Sequence, residues 1–179
     1  LGAAIFLFVG PAYAAYQEGP VSNGGSLKGR VTFTGTLPAD AIEKIRITKN
    51  PEACGTGSRE VVWVDVGKAN ALRGVVVFLD RINKGKAWPK PKGNIHLIDQ
   101  WKCRFRPWMQ VIRPGDFVVR NSDPVLHNIH VREMIGVDRK RVVRRTIFNF
   151  GQPNSGDVKK KIKTRRSPFL SVNCEAHNF

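Results

Sequence analysis

Apolar and polar positions alternate over short stretches from Gly25 onward, in runs of Val, Ile, Phe and Thr broken by Gly, Pro, Asn and Asp, with no sustained helical period. The pattern predicts strands over residues 28–34, 44–48, 60–66 and 73–80, and again over 94–98, 108–112, 116–121, 128–131, 144–148, 158–164 and 169–173. One helical turn fits within 39–44. Many short strands at even spacing argue for an all-β fold, an antiparallel sandwich or barrel. Residues 83–93, rich in Lys, Pro and Gly, read as a linker. They divide an N-terminal β-rich part, 15–92 with the linker included, from a second part at 93–179. The pattern leaves open whether the first part is a domain of its own or a set of strands packed on the second.

Residues 1–10 are apolar, Pro11 ends the run, and Ala12-Tyr13-Ala14 supplies the small-x-small pattern of signal-peptidase cleavage. Residues 1–14 therefore read as a truncated signal peptide cleaved before Ala15, and the mature chain as periplasmic or otherwise exported. The run is shorter than the ~20 residues that cross a bilayer, and no later stretch is long and apolar enough for a membrane span. Thirty Lys and Arg against 14 Asp and Glu give a formal charge of +16, none of it in the leader. Such a charge speeds encounters with acidic partners in a salt-dependent way. Export, and the absence of the aromatic-glycine signature of an RNA-binding sheet, argue against a nucleic-acid role. The basic runs Lys159-Lys160-Lys161 and Arg139-Lys140-Arg141, with Arg144-Arg145, read one by one as solvated faces and loops. The four tryptophans read as core or rim packing.

Three cysteines, Cys54, Cys103 and Cys174, permit one bridge in an exported chain, and the sequence does not choose its connectivity. A thiolate and an imidazole three residues apart, in Cys174-Glu175-Ala176-His177, can close a loop around one metal ion. If Cys174 is kept for a metal, Cys54 and Cys103 are the pair; otherwise Cys174 is bridged and one of the others is free. Copper that exchanges one electron favours a trigonal set of one thiolate and two imidazoles with a weak fourth ligand. His127, at the end of Asn121-Ser122-Asp123-Pro124-Val125-Leu126, supplies the other imidazole. The turn Arg113-Pro114-Gly115-Asp116 feeds the strand that delivers this loop. His130 would point to the opposite face of a strand from His127 and reads as a surface or supporting histidine, and His96 as an ordinary strand residue.

Arg113-Pro114-Gly115-Asp116, Asn121-Ser122-Asp123 with Leu126-His127-Asn128, and Cys174-x-x-His177 together resemble the cupredoxins, the small blue-copper proteins. The short ligand loop and Phe148-Asn149-Phe150-Gly151-Gln152-Pro153 look most like the amicyanin-like "methylamine utilisation" members. The likeness spans 94–179. It implies a Greek-key β-sandwich with an N-terminal β-rich extension, and one mononuclear copper site held by His127, Cys174 and His177. It implies that Asn128 ties the histidine loop to the cysteine loop, and that electrons pass through a partly exposed edge of His177. Short-loop members carry an axial Met one position beyond where Phe179 stands. Met109 and Met134 do not match that position, so the resemblance implies a C-terminally truncated copper domain followed by Met, and weak copper binding by the fragment.

The expected function is that of an exported electron carrier, not an enzyme, with an acidic redox protein such as a cytochrome or dehydrogenase as partner. One alternative is a periplasmic copper-binding or delivery protein, whose ligands would be exposed and exchangeable. Another is a β-sandwich scaffold without metal. Multicopper catalysis needs more histidines than the four present.

Overall fold

The computed structural model describes residues 16–79, 82–91, 93, 95–137 and 142–177. The segment 1–14 expected to be a signal peptide and the run Arg139-Lys140-Arg141 lie outside them. The chain is all-β. Its elements are β1 (Gln17–Glu18), β2 (Ile42–Arg46), α1 (Pro51–Cys54), β3 (Ser58–Val62), β4 (Lys84–Gly85), β5 (His96–Trp101), β6 (Arg104–Arg106), β7 (Gly115–Asn121), β8 (His127–Ile135), β9 (Val143–Gln152), β10 (Gly156–Ile162) and β11 (Leu170–Asn173).

The described residues fall into two compact units. One comprises 16–29 and 77–89, where β1 and β4 pair in parallel. The other comprises 30–76 and 90–177 and holds everything else. Within it, β2 and β3 pair antiparallel, a four-stranded sheet runs β10-β7-β5-β6, and a three-stranded sheet runs β11-β8-β9. Ile98, Phe117, Val119 and Ile162 from the four-stranded sheet and Ile129 and Val131 from β8 form one buried cluster. Phe148 and Phe150 of β9 and Leu170 and Val172 of β11 pack against it. Both sheets therefore share a core. Alternate residues of β8, His127, Ile129, Val131 and Glu133, are all buried, while Asn128, Arg132 and Met134 are only partly so; His130 is buried as well.

Several sequence expectations shift. The large unit is not wholly antiparallel, because β5 pairs in parallel with β7, His96 opposite Phe117 and Gln100 opposite Asn121. Residues 39–44 are not a helical turn; they lead into β2. Residues 28–34 contribute only an isolated bridge, Thr32 to Ala71, and 108–112 form no strand. The β-prone run Val75-Val76-Val77-Phe78-Leu79 is exposed and joins no ladder among the described residues. Propensity without a partner strand does not make a strand. Trp63 and Trp108 meet edge to face with centroids 6.3 Å apart and are 57% and 66% exposed, so of the core or rim expected for them they do not take the core.

The Cys54–Cys103 disulfide joins the segment 30–76 to 90–177 within the larger unit. Beside it the buried Arg59 guanidinium donates to the carbonyls of Cys54, Cys103 and Lys102 at 2.7–2.8 Å. Lys102 and Cys103 both hold positive φ, 52° and 54°, the backbone of a tight two-residue turn between β5 and β6.

Glu133 fixes the chain leading into β11. Its Oε1 accepts the backbone N–H groups of Arg165, Arg166 and Ser167 at 2.6–2.8 Å, and Oε2 accepts Arg145 at 2.6 Å. Burial pushes its carboxyl up, but these donors outweigh it and hold the group at about 2, well below its ordinary 4.5. The stability this adds is complete above pH 4.5 and disappears as pH falls towards 2. Glu133→Gln, which keeps the shape but not the charge, is expected to lower unfolding free energy by about 3 kcal/mol at pH 7. Urea titrations at pH 7 and pH 3 check this, the difference between variant and parent shrinking at the lower pH.

Candidate metal centre

The register of the three-stranded sheet brings the distant candidates together. β11 pairs antiparallel with β8, and its last residue, Asn173, lies opposite His130. One residue further along, Cys174 reaches the end of β8 where His127 and Asn128 stand, and the Asn128 backbone N–H donates to its sulfur at 3.4 Å. The loop into β8 is held by Asn121, whose amide donates to the carbonyls of Val125, Gln152 and Asn154 at 2.9–3.2 Å. Its Oδ1 accepts the Asp123 N–H at 2.9 Å.

His127 Nδ1 lies 3.9 Å and His177 Nδ1 3.7 Å from Cys174 Sγ. The rings stand 4.8 Å apart, tilted 57°. Metal bonds of about 2.0 Å to imidazole and 2.3 Å to thiolate meeting near 120° separate nitrogen from sulfur by about 3.7 Å. The two nitrogens and the sulfur, all within 4.8 Å of one another, therefore fit one ion.

Both imidazoles are held in the tautomer that such an ion needs. His127, 2% exposed, directs Nε2 at Asp123 Oδ2 at 2.8 Å. A carboxylate only accepts, so Nε2 carries a proton and Nδ1 is the nitrogen turned towards Cys174. His177 is arranged likewise: Nε2 faces Asn50 Oδ1 at 2.9 Å. The Asn50 amide nitrogen donates to Glu52 Oε1 at 3.3 Å, which assigns its oxygen to the histidine. Asn50 is set in place by a left-handed backbone, φ 49°, at the start of α1. Lys49 adds a bond to the Ala176 carbonyl at 3.0 Å.

Asp123 does more than orient His127. Its two oxygens also accept the N–H groups of Lys102 and Cys103 at 2.7 and 2.8 Å, which couples the histidine loop to the turn between β5 and β6.

Proton affinities reflect the same packing. Burial raises the Cys174 thiol, but the bonds from His127 and the backbone of Asn128, His177 and Ala176 overcome this and leave it lowered, towards thiolate. Burial lowers His127, yet Cys174 and Asp123 together raise it above its ordinary value. His177 is lowered by burial and by the charges of His127 and Lys49.

Asn128 bridges the loops. Its side-chain amide donates to Asn149 Oδ1 at 2.8 Å and Phe150 O at 3.2 Å, while its Oδ1 accepts the Glu175 N–H at 3.2 Å. His130 faces away from His127 and is hydrogen-bonded, not solvated: Nδ1 meets Glu175 Oε1, and Nε2 meets the Thr146 hydroxyl at 2.7 Å. Arg132 and Asn149 also hold Glu175, so the residue after Cys174 is fastened to the three-stranded sheet. His96 sits on β5 and accepts the Arg113 N–H.

The exposed His177 edge expected from sequence is corrected, since His177 is 5% exposed and capped by Asn50. Instead a cleft of about 760 Å³ reaches the centre, lined by His127, Cys174 and His177 and, further out, by Trp63, Trp108 and Met109. Asp123 and Asn50 carry no role in the sequence reading. The acid four residues before His127 was a local signal for the first; the second comes from a part of the chain 127 residues away. Asn50→Leu, which deletes the acceptor, is expected to weaken copper binding roughly tenfold, whereas Asn50→Asp keeps it, as read by competition against a chelator.

No protein-family model, no curated protein and no solved structure matches this chain.

Proposed function

We propose that the chain is an exported, mononuclear blue-copper electron-transfer protein of cupredoxin type, its two sheets forming a Greek-key sandwich. The observation that carries this reading is the triad of His127 Nδ1, Cys174 Sγ and His177 Nδ1, each imidazole preset by an outer acceptor. Bound copper supplies a one-electron couple at these three residues. The protein's share is to hold the donors still: Asp123 and Asn50 fix the rings, and Asn128 and Glu175 clamp the cysteine loop. Of the three donors that line the cleft, Cys174 is only partly buried while both histidines are buried, so electron exchange is assigned to the cleft through Cys174.

The formal charge of +16 suits an acidic redox partner such as a cytochrome or dehydrogenase. Association that weakens as salt rises supports that partner, and a salt-independent rate counts against it.

A delivery role is the second reading, favoured by the opening of the cleft onto all three donors with Met109 on its wall. Adding Cu(II) to the thiol form separates the two. The carrier gives an intense visible band at one copper per chain and a reversible one-electron wave; a delivery protein gives colourless Cu(I) that passes readily to a chelator.

A further inference from the structure

The disulfide lies against the metal centre. The sulfurs of Cys54 and Cys103 and a ring nitrogen of His177 lie within 4.8 Å of one another. The same limit encloses the Cys103 sulfur, an Asp123 carboxylate oxygen and a ring nitrogen of His127. Both bridged cysteines are buried, and the carbonyls of both are bonded by the buried Arg59 guanidinium. A disulfide is a poor ligand, whereas two thiolates beside an imidazole make a soft donor set for Cu(I) or Zn(II).

We propose that reduction of Cys54–Cys103 opens a second metal position, formed by Cys54, Cys103 and His177. It shares His177 with the first position, so one ion occupies either one or the other. The state of the bridge thereby selects between a centre with one thiolate and a centre with two. Cys103 lines the cleft, and a small dithiol reductant enters there. One reductant thiolate attacks the Cys103 sulfur, the Cys54–Cys103 bond breaks, and Cys54 leaves as thiolate. The second reductant thiolate then attacks the mixed disulfide and releases Cys103, and the reductant departs as its own disulfide, two electrons having passed to the protein. The metal binds the two thiolates in place of protons.

This inference rests on the copper reading only for the first position. Cys174→Ser removes the thiolate of that position and leaves the second intact, so the test uses this variant with Cd(II) as probe. The protein is reduced with dithiothreitol, freed of it anaerobically and titrated, following thiolate-to-cadmium absorption in the ultraviolet. The expected result is no such band before reduction and one Cd(II) per chain afterwards, with binding at least about tenfold weaker when His177→Ala is added. A reduced variant without the band, a band indifferent to His177→Ala, or loss of β-sheet circular dichroism on reduction overturns the proposal. Blue colour in the oxidised parent chain depends on Cys174 alone, so the two readings fail separately.

Discussion

Cys174→Ser is expected to abolish the visible charge-transfer band of the copper-loaded protein and to weaken Cu(I) binding by at least about a hundredfold, because the thiolate between His127 and His177 is lost. The fold should survive. Cys174 is half-buried and unbridged, and the Asn128 N–H, which donates to its sulfur at 3.4 Å, can still be satisfied in part by a serine hydroxyl. Copper titration followed by absorption, with urea unfolding as a control, checks both statements. Colour that persists in the variant removes Cys174 from the centre.

Asp123→Asn carries the second large effect, and here stability and metal binding fall together. Three hydrogens point at the Asp123 carboxylate, from Lys102 N, Cys103 N and His127 Nε2. A carboxylate accepts all three, while an amide presents one oxygen and turns an NH₂ group on at least one of these donors. Asp123 is 4% exposed, so water cannot make up the loss. Expected costs are about 2–4 kcal/mol of unfolding free energy and about a ten- to hundredfold loss of copper affinity. The joint fall distinguishes this residue from a purely structural one such as Glu133, whose replacement lowers stability and leaves copper affinity unchanged, as parallel denaturant and chelator-competition titrations would read.

The candidate donors are legible in the sequence because soft-metal chemistry restricts them to few residue types, and Cys174-x-x-His177 is a local spacing. The β-prone runs around them are legible too, and the register of β11 on β8 sets Cys174 beside Asn128. What surrounds the donors is less visible. Asn50 becomes a partner of His177 only after residues 30–76 have packed with 90–177, and no local pattern encodes that closure. The burial of His177 follows from the same closure. The parallel pairing of β5 with β7 escapes a periodicity argument, since alternation describes the faces of one strand and not the direction of its neighbour. Residues 75–79 show the converse: strong β propensity, no ladder and an exposed apolar surface.

The proposed function requires one copper ion among His127 Nδ1, Cys174 Sγ and His177 Nδ1 with the Cys54–Cys103 bridge intact. Copper X-ray absorption fine structure on the oxidised, singly loaded chain reads that donor set directly. The expected spectrum shows one short copper–sulfur distance and two imidazole nitrogens in the inner sphere. A spectrum with no sulfur ligand, or with a single imidazole, would contradict it.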